Sequence, residues 1–141
     1  MLFRSLRECS KNGGLKGLSG ISEDMREIKE AIAKGNERAR LARDKFIYDV
    51  KRYIGEFMVI MGGVNAIAFS GGIGQRDSDL RAEVINSLSF TGMIIDNHKN
   101  NKNETIITSS LSIVKGLVIE TNEEIVVARE TMKVINGSNP A

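Results

Sequence analysis

The residues best suited to chemistry are Ala66-Ile67-Ala68-Phe69-Ser70-Gly71-Gly72-Ile73-Gly74-Gln75-Arg76, an apolar run followed by three glycines and two polar side chains. Glycines between a buried strand and a helix start let backbone amides approach an anion closely, and the helix N-terminus favours negative charge. A tight strand-to-helix turn without a ligand has the same pattern, because Gly-x-Gly alone is common. No Lys-Ser/Thr follows, so this is not a Walker A loop, and Ser78 stands where a full dinucleotide fingerprint has its later glycine. A second candidate is Thr121-Asn122-Glu123-Glu124. Its carboxylates either complement a helix dipole or hold a Mg²⁺ at a nucleotide. The third is Ser22-Glu23-Asp24-Met25-Arg26, whose Asp and Arg in a first helical turn read by themselves as a surface pair. His98 sits in a hydrophilic loop and is expected to be solvated, and Cys9 to be inert. No Ser-His-Asp or Cys-His set can be assembled.

The elements around these residues follow from periodicity and capping. Four glycines in Gly13–Gly20 predict a loop. Ser22 is the expected N-cap of a helix through Met25, Ile28 and Ile32 that stops at Gly35. Asn36 caps a long helix whose apolar residues Ala39, Ala42, Phe46, Val50, Ile54, Phe57 and Met61 recur every three or four positions. About twenty-five residues at 1.5 Å each make it roughly 37 Å long. Ala66–Phe69 and Gly116–Ile119 show no apolar/polar alternation and predict strands buried on both faces. Ser70–Arg76 is expected as a loop feeding a helix that begins near Asp77 or Ser78 and carries Leu80, Val84, Ile85 and Leu88. Met93–Ile95 and Thr105–Thr108 read as strands either side of a polar loop, Asp96–Glu104. Thr121 is the expected cap of a last helix through Ile125, Val126, Ala128 and Met132. Alternating strands and helices give an α/β class with parallel pairing, and both leading candidates then fall at the C-terminal strand edge, where open α/β sheets bind ligands. Two central strands are few for such a sheet, so strands bordering them are missing.

Composition narrows the function classes. The chain has 141 residues, 41% hydrophobic and 27% charged, enough for one packed domain. Twenty Lys and Arg against eighteen Asp and Glu leave a charge of +2, too little for a dedicated nucleic-acid binder. One cysteine and one histidine exclude an intrachain disulfide and a Cys or multi-His metal cage. The uncharged run Phe57–Gln75 has membrane-spanning length, but its glycines and the turn at Gly63-Val64-Asn65 divide it into helix end, turn and strand. Met1-Leu2-Phe3-Arg4-Ser5-Leu6-Arg7 has transit-peptide flavour, weakened by Glu8 and its short length. These features describe a cytoplasmic domain with neither a membrane nor a nucleic-acid partner.

At four stretches the sequence resembles the C-terminal part of acetate kinases, members of the acetokinase family in the actin-like phosphotransferase superfamily. They are Gly17–Arg26, Gly35-Asn36-Glu37-Arg38-Ala39, Phe69–Gly74, and Val118-Ile119-Glu120-Thr121-Asn122-Glu123-Glu124, in family order. The resemblance implies a partial ribonuclease-H-like/actin-like fold with an incomplete sheet, and reversible phosphoryl transfer between ATP and acetate. It implies that Asp24, Met25 and Arg26 match the Asp-x-Arg nucleotide contact. Gly72, Ile73 and Gly74 match the start of the adenosine loop, with Gly71, Gln75 and Arg76 beside them expected to bind the nucleotide too, and Glu123 matches the glutamate associated with Mg²⁺. Gln75-Arg76 replaces the usual Glu-Asn, and Glu120 stands where the family commonly has proline. The family's acetate lobe, with its catalytic Asp, His and Arg, lies upstream of anything present.

The expected organisation is one partial domain. Residues 1–16 form a poorly ordered start, 17–135 the nucleotide-binding portion and 136–141 a tail. The expected activity is that of an acetate kinase lacking its acetate lobe and inactive alone, with Mg²⁺ as cofactor and ATP or ADP as substrate. The alternative is a non-catalytic truncated module that keeps dimerisation and weak nucleotide binding. The expected partners are an adenine nucleotide and either a second copy or the missing N-terminal lobe.

Overall fold

A computed structural model describes residues 12–121 and 123–137. The elements run α1 (Gly14–Ser19), α2 (Met25–Ala33), α3 (Glu37–Ile60), β1 (Ala66–Phe69), α4 (Gly71–Arg76), α5 (Ser78–Ser87), a 3₁₀ turn (Ser89–Thr91), α6 (Asn97–Asn101), β2 (Lys115–Val118) and α7 (Glu123–Ile135). β1 and β2 pair in parallel, with Ala66 opposite Lys115 and Phe69 opposite Val118. The start expected over 1–16 lies mostly outside the described residues, as does the end of the tail.

Capping explains the helix boundaries. Asp24 caps α2, its carboxylate accepting from the Arg26 amide at 2.8 Å. This corrects the expectation of Ser22, whose hydroxyl instead accepts from the Asp24 amide at 3.1 Å and so supports the cap from outside. Asn36 caps α3 as expected, accepting from the Ala39 amide at 3.0 Å. The long helix ends where Gly62 and Gly63 take positive φ of 69° and 116°, conformations that favour glycine. That turn divides the uncharged run, and among the described residues no helix is long and apolar enough to cross a membrane.

Two glycine-rich loops are helices instead. Gly13–Gly20 contains α1, because Leu15 packs against the core and Gly17 lets the chain turn tightly. A Cβ on Gly17 would lie 2.6 Å from the Asn12 carbonyl oxygen. The expected loop Ser70–Arg76 contains α4. Its three glycines cost about 1 kcal/mol each relative to alanine in a helix interior, so local propensity does not explain it. Contacts from elsewhere in the fold hold it, as described below.

The sheet also departs from expectation. Met93–Ile95 and Thr105–Thr108 form two isolated antiparallel bridges, Ile95 with Thr108 and Ile106 with Leu117, in place of full strands. The Ile107 amide donates to the Gly116 carbonyl and the Val118 amide to the Thr105 carbonyl, so residues 105–108 run along the second edge of β2. Between them the expected polar loop holds α6, capped by Asp96. β1 is not buried on both faces. Ala66 and Ala68, which share one face, are exposed and only Phe69 is buried, because among the described residues no element covers that face. In β2, Gly116 and Val118 are buried and Lys115 and Leu117 partly so, which is one covered face, not two.

The core gathers Ile28 of α2, Ala39 and Ile47 of α3, Val84 and Ile85 of α5, and Ile107, all 0–1% exposed. The apolar stripe of α3 is fully buried only over its first half, at Ala39, Ala42 and Ile47, while Val50, Ile54 and Met58 are half-buried against the core. Phe57 and Met61 are exposed beside a groove of about 390 Å³ that Tyr53 and the backbone run Ala66–Phe69 also line. That groove runs along β1.

Candidate functional site

The site is built from the start of α2 and from α4. Gly71 needs its left-handed φ of 70° to leave β1. A Cβ on Gly72 would meet nothing within 4 Å, so the space beside it is open. A Cβ on Gly74 would lie 3.2 Å from the Phe69 carbonyl carbon, so this glycine lets α4 sit against β1. Of the three glycines, Gly71 thus serves conformation and Gly74 packing, while Gly72 has open space beside it.

Asp24 and Arg26 form a forked pair, Arg26 Nη2 donating to Asp24 Oδ2 at 2.6 Å and Nε reaching both carboxylate oxygens at 3.1 Å. The Arg26 side-chain hydrogen bond, helped by the Arg26 amide, lowers the Asp24 pKa to about 2. Lys29, one turn further along α2, donates to Asp77 Oδ1 at 3.1 Å and to Asp79 Oδ2 at 2.7 Å. The hydrogen bonds to these two carboxylates hold the Lys29 pKa above the ordinary lysine value, although burial opposes them. This tie fastens α2 to the start of α5. A cavity of about 410 Å³ opens between the helices, walled by Asp24, Met25, Arg26 and Lys29 on one side and Gly72, Ile73, Arg76 and Asp77 on the other.

Six residues singled out from the sequence, Asp24, Met25, Arg26, Gly72, Ile73 and Arg76, therefore share one cavity. Gly71 and Gly74 shape α4 without lining it. Gln75 faces the other side of α4, where its amide nitrogen donates to the Ile119 carbonyl at 3.0 Å and to Thr121 Oγ1 at 3.3 Å. A glutamate at position 75 could not bond the Ile119 carbonyl, since a carboxylate has no donor, and could meet Thr121 only by accepting from its hydroxyl. The Glu123 backbone opens α7, and its side chain lies outside the described residues. Among the described residues no three His, Cys, Asp or Glu side chains gather to hold a metal.

Lys29, Asp77 and Arg81 escape a motif reading of the sequence. Arg81 carries a signal nonetheless, since it precedes Val84, Ile85 and Leu88 by three, four and seven positions, on the apolar face of α5. Its guanidinium is fully buried. Burial pulls its pKa below the usual arginine value, with the Asp77 charge opposing.

Comparison with known proteins settles the family. The profile of the Acetokinase family matches residues 5–129. The chain belongs to the acetokinase family. It is 42% identical over 128 residues to the acetate kinase of Desulforamulus reducens, a match covering 89% of this chain and 32% of that protein. The crystal structure of Porphyromonas gingivalis acetate kinase superposes with a TM-score of 0.78 at 37% identity, over 89% of this chain and 32% of its own. That of a propionate kinase from Francisella tularensis gives 0.80 at 35%, over 92% and 33%. This acetokinase-family chain thus spans about a third of the length of the curated relatives it matches, and the mixed helix and strand fold with its two-stranded parallel sheet is that of a fragment of such enzymes.

Proposed function

We propose that the chain is the nucleotide-binding portion of an acetate kinase-like phosphotransferase, for reversible transfer of phosphate between ATP and acetate. The observation carrying this reading is the cavity shared by Asp24–Arg26 and Gly72–Arg76, two segments far apart in sequence. In it, the open face of Gly72 would admit a ligand against the α4 backbone with Arg76 on the same wall, while the charges of Arg26 and Lys29 are balanced by Asp24, Asp77 and Asp79. Mg²⁺ would be held by Glu123 and completed by nucleotide phosphates and water, since this ion commonly uses only one or two carboxylates. When bound it would neutralise phosphate charge. Phosphoryl transfer depends on positioning and charge stabilisation around the moving group, so the chain alone is expected to show no turnover. Its nucleotide would come from the cytoplasmic pool.

Titration calorimetry with ADP tests the reading. A half-solvated ligand is expected to bind with a dissociation constant of roughly 0.1–1 mM, or about 4–5.5 kcal/mol. Gly72→Val should abolish binding in a folded protein, because Gly72 lines the cavity, a Cβ there has open space, and the larger side chain would block close approach to the backbone. Glu123→Gln should weaken only the Mg²⁺-dependent part. No ADP binding at several millimolar would overturn the proposal, and so would an unaffected Gly72→Val.

The exposed groove beside β1 favours a second reading, a non-catalytic module that keeps self-association and weak nucleotide binding. An open strand edge beside apolar surface invites pairing with another chain. Sizing chromatography at micromolar concentration should show a dimer or larger species. A coupled acetyl-phosphate assay, with and without the N-terminal two-thirds of a full-length relative, separates the readings. Activity on mixing supports the enzyme portion, and persistent inactivity with an intact dimer supports the module.

A further inference from the structure

Arg81 uses all five of its guanidinium donors inside the protein, and none of them reaches a carboxylate. Nη1 donates to the carbonyls of Gly74 at 2.9 Å and Gln75 at 2.7 Å. Nε donates to Asn100 Oδ1 at 2.8 Å, and Nη2 to the Asn100 carbonyl at 2.8 Å and Asn103 Oδ1 at 2.6 Å. Two of the acceptors are carbonyls in the last turn of α4, which a helix cannot satisfy itself. The other three belong to α6 and to Asn103, whose positive φ of 52° turns the chain back toward the guanidinium. Asn100 in turn donates from Nδ2 to the Ser78 carbonyl at 2.8 Å, so the acceptor side is itself anchored.

We infer that Arg81 is a positioning residue for the candidate nucleotide segment Gly71–Arg76. Six residues with three glycines do not hold a helical turn in water, yet α4 must present Gly72 and Ile73 in one fixed arrangement. The buried cation supplies that order. It binds the carbonyl end of α4 from below while the Gln75 side chain fastens the same turn to the end of β2. A planar fork of fixed donors suits this task, and a lysine with three donors on a flexible stem does not. Arg81 is not among the residues that line the cavity, and its guanidinium reaches that cavity through the carbonyls of α4. This inference rests on the nucleotide reading only for its binding consequence.

The experiment compares the 141-residue chain with Arg81→Met and Arg81→Lys by amide hydrogen exchange and ADP titration. In Arg81→Met the Asp77 amide, bonded to the Ile73 carbonyl in α4, should exchange at least tenfold faster, while the Val84 and Ile85 amides of α5 keep their parental rates. ADP affinity should fall at least tenfold, and Arg81→Lys should lie between. Unchanged exchange at Asp77 overturns the inference. So does accelerated exchange with parental ADP affinity, which would make Arg81 merely structural. If Arg81→Met does not fold, Asn103→Gly keeps the left-handed turn and removes one acceptor. It should then speed Asp77 exchange twofold to fivefold, and no change would again overturn the inference. If the parent itself binds no ADP, the nucleotide reading fails, and the exchange contrast alone decides whether Arg81 orders α4.

Discussion

Helices α5 and α7 each follow a strand of the same small sheet, and both carry apolar residues at helical spacing. In α5, Leu80, Val84 and Ile85 are 0–2% exposed, packed with Ile28, Ile47 and Ile107. In α7, every described side chain from Glu124 onward is exposed, including Val126, Val127 and Ile135. The strands repeat the contrast, β2 lying between two neighbours and β1 beside one. Apolar spacing makes a helix or strand possible, whereas burial requires a partner surface. Only the half of the chain nearest α2 and α5 has one within the described residues.

The sharpest break of this contrast is a pair of truncations followed by chemical denaturation. Ile85→Ala should cost about 2–5 kcal/mol, as expected for a fully buried aliphatic side chain. Val127→Ala should change stability by no more than about 0.5 kcal/mol. An equal cost at both positions would show that α7 is packed in solution and would end the comparison.

A smaller effect separates Gly72 and Gly74 of α4. Gly74→Val should cost about 1–3 kcal/mol, because its side chain meets the Phe69 backbone and forces a shift. Gly72→Val has open space and should cost no more than about 1 kcal/mol, the spread of helix propensity. Comparable losses in thermal melts would mean that Gly72 is also packed.

Acid titration sharpens the division between charged rim and apolar core. Asp24, Asp79 and Asp96 all have lowered pKa values, through hydrogen bonds from the Arg26 side chain, the Lys29 side chain and the Lys99 amide respectively. A lowered folded value stabilises above the unfolded carboxylate pKa, near 3.9, and the contribution is lost as pH falls through the folded value. Denaturation midpoints should therefore be flat from about pH 7 to 5 and decline below about 4. Carboxyl NMR should place the Asp24 midpoint at about 2, and Asp24→Asn should flatten part of the acid limb. A midpoint near 3.9 would mean that the Arg26 fork does not persist in solution.

The smallest effect concerns α7 itself, where Lys133 pairs with Glu130 at 2.7 Å on an exposed face. Lys133→Ala should change stability by less than about 0.5 kcal/mol and become neutral at high salt.

Much of this architecture was legible in the residues. Asn36, the period of α3, Gly35 and the Gly62-Gly63 stop set the helices, since capping and apolar spacing are local physics. The family could be read as well, because four short motifs stand in order along one chain. Tertiary structure decided what local rules argue against or leave open. It turned Gly13–Gly20 and Ser70–Arg76 into helices, because packing of Leu15 and the Arg81 hydrogen bonds outweigh glycine's poor propensity. It reduced two expected strands to single bridges, because pairing depends on which neighbours are present, and left one face of β1 open, because among the described residues no layer packs on it. Above all, it brought Asp24–Arg26 beside Gly72–Arg76 through the Lys29 bonds to Asp77 and Asp79. No spacing rule contains that proximity, because it arises when α2 and α5 bury their apolar faces in one core.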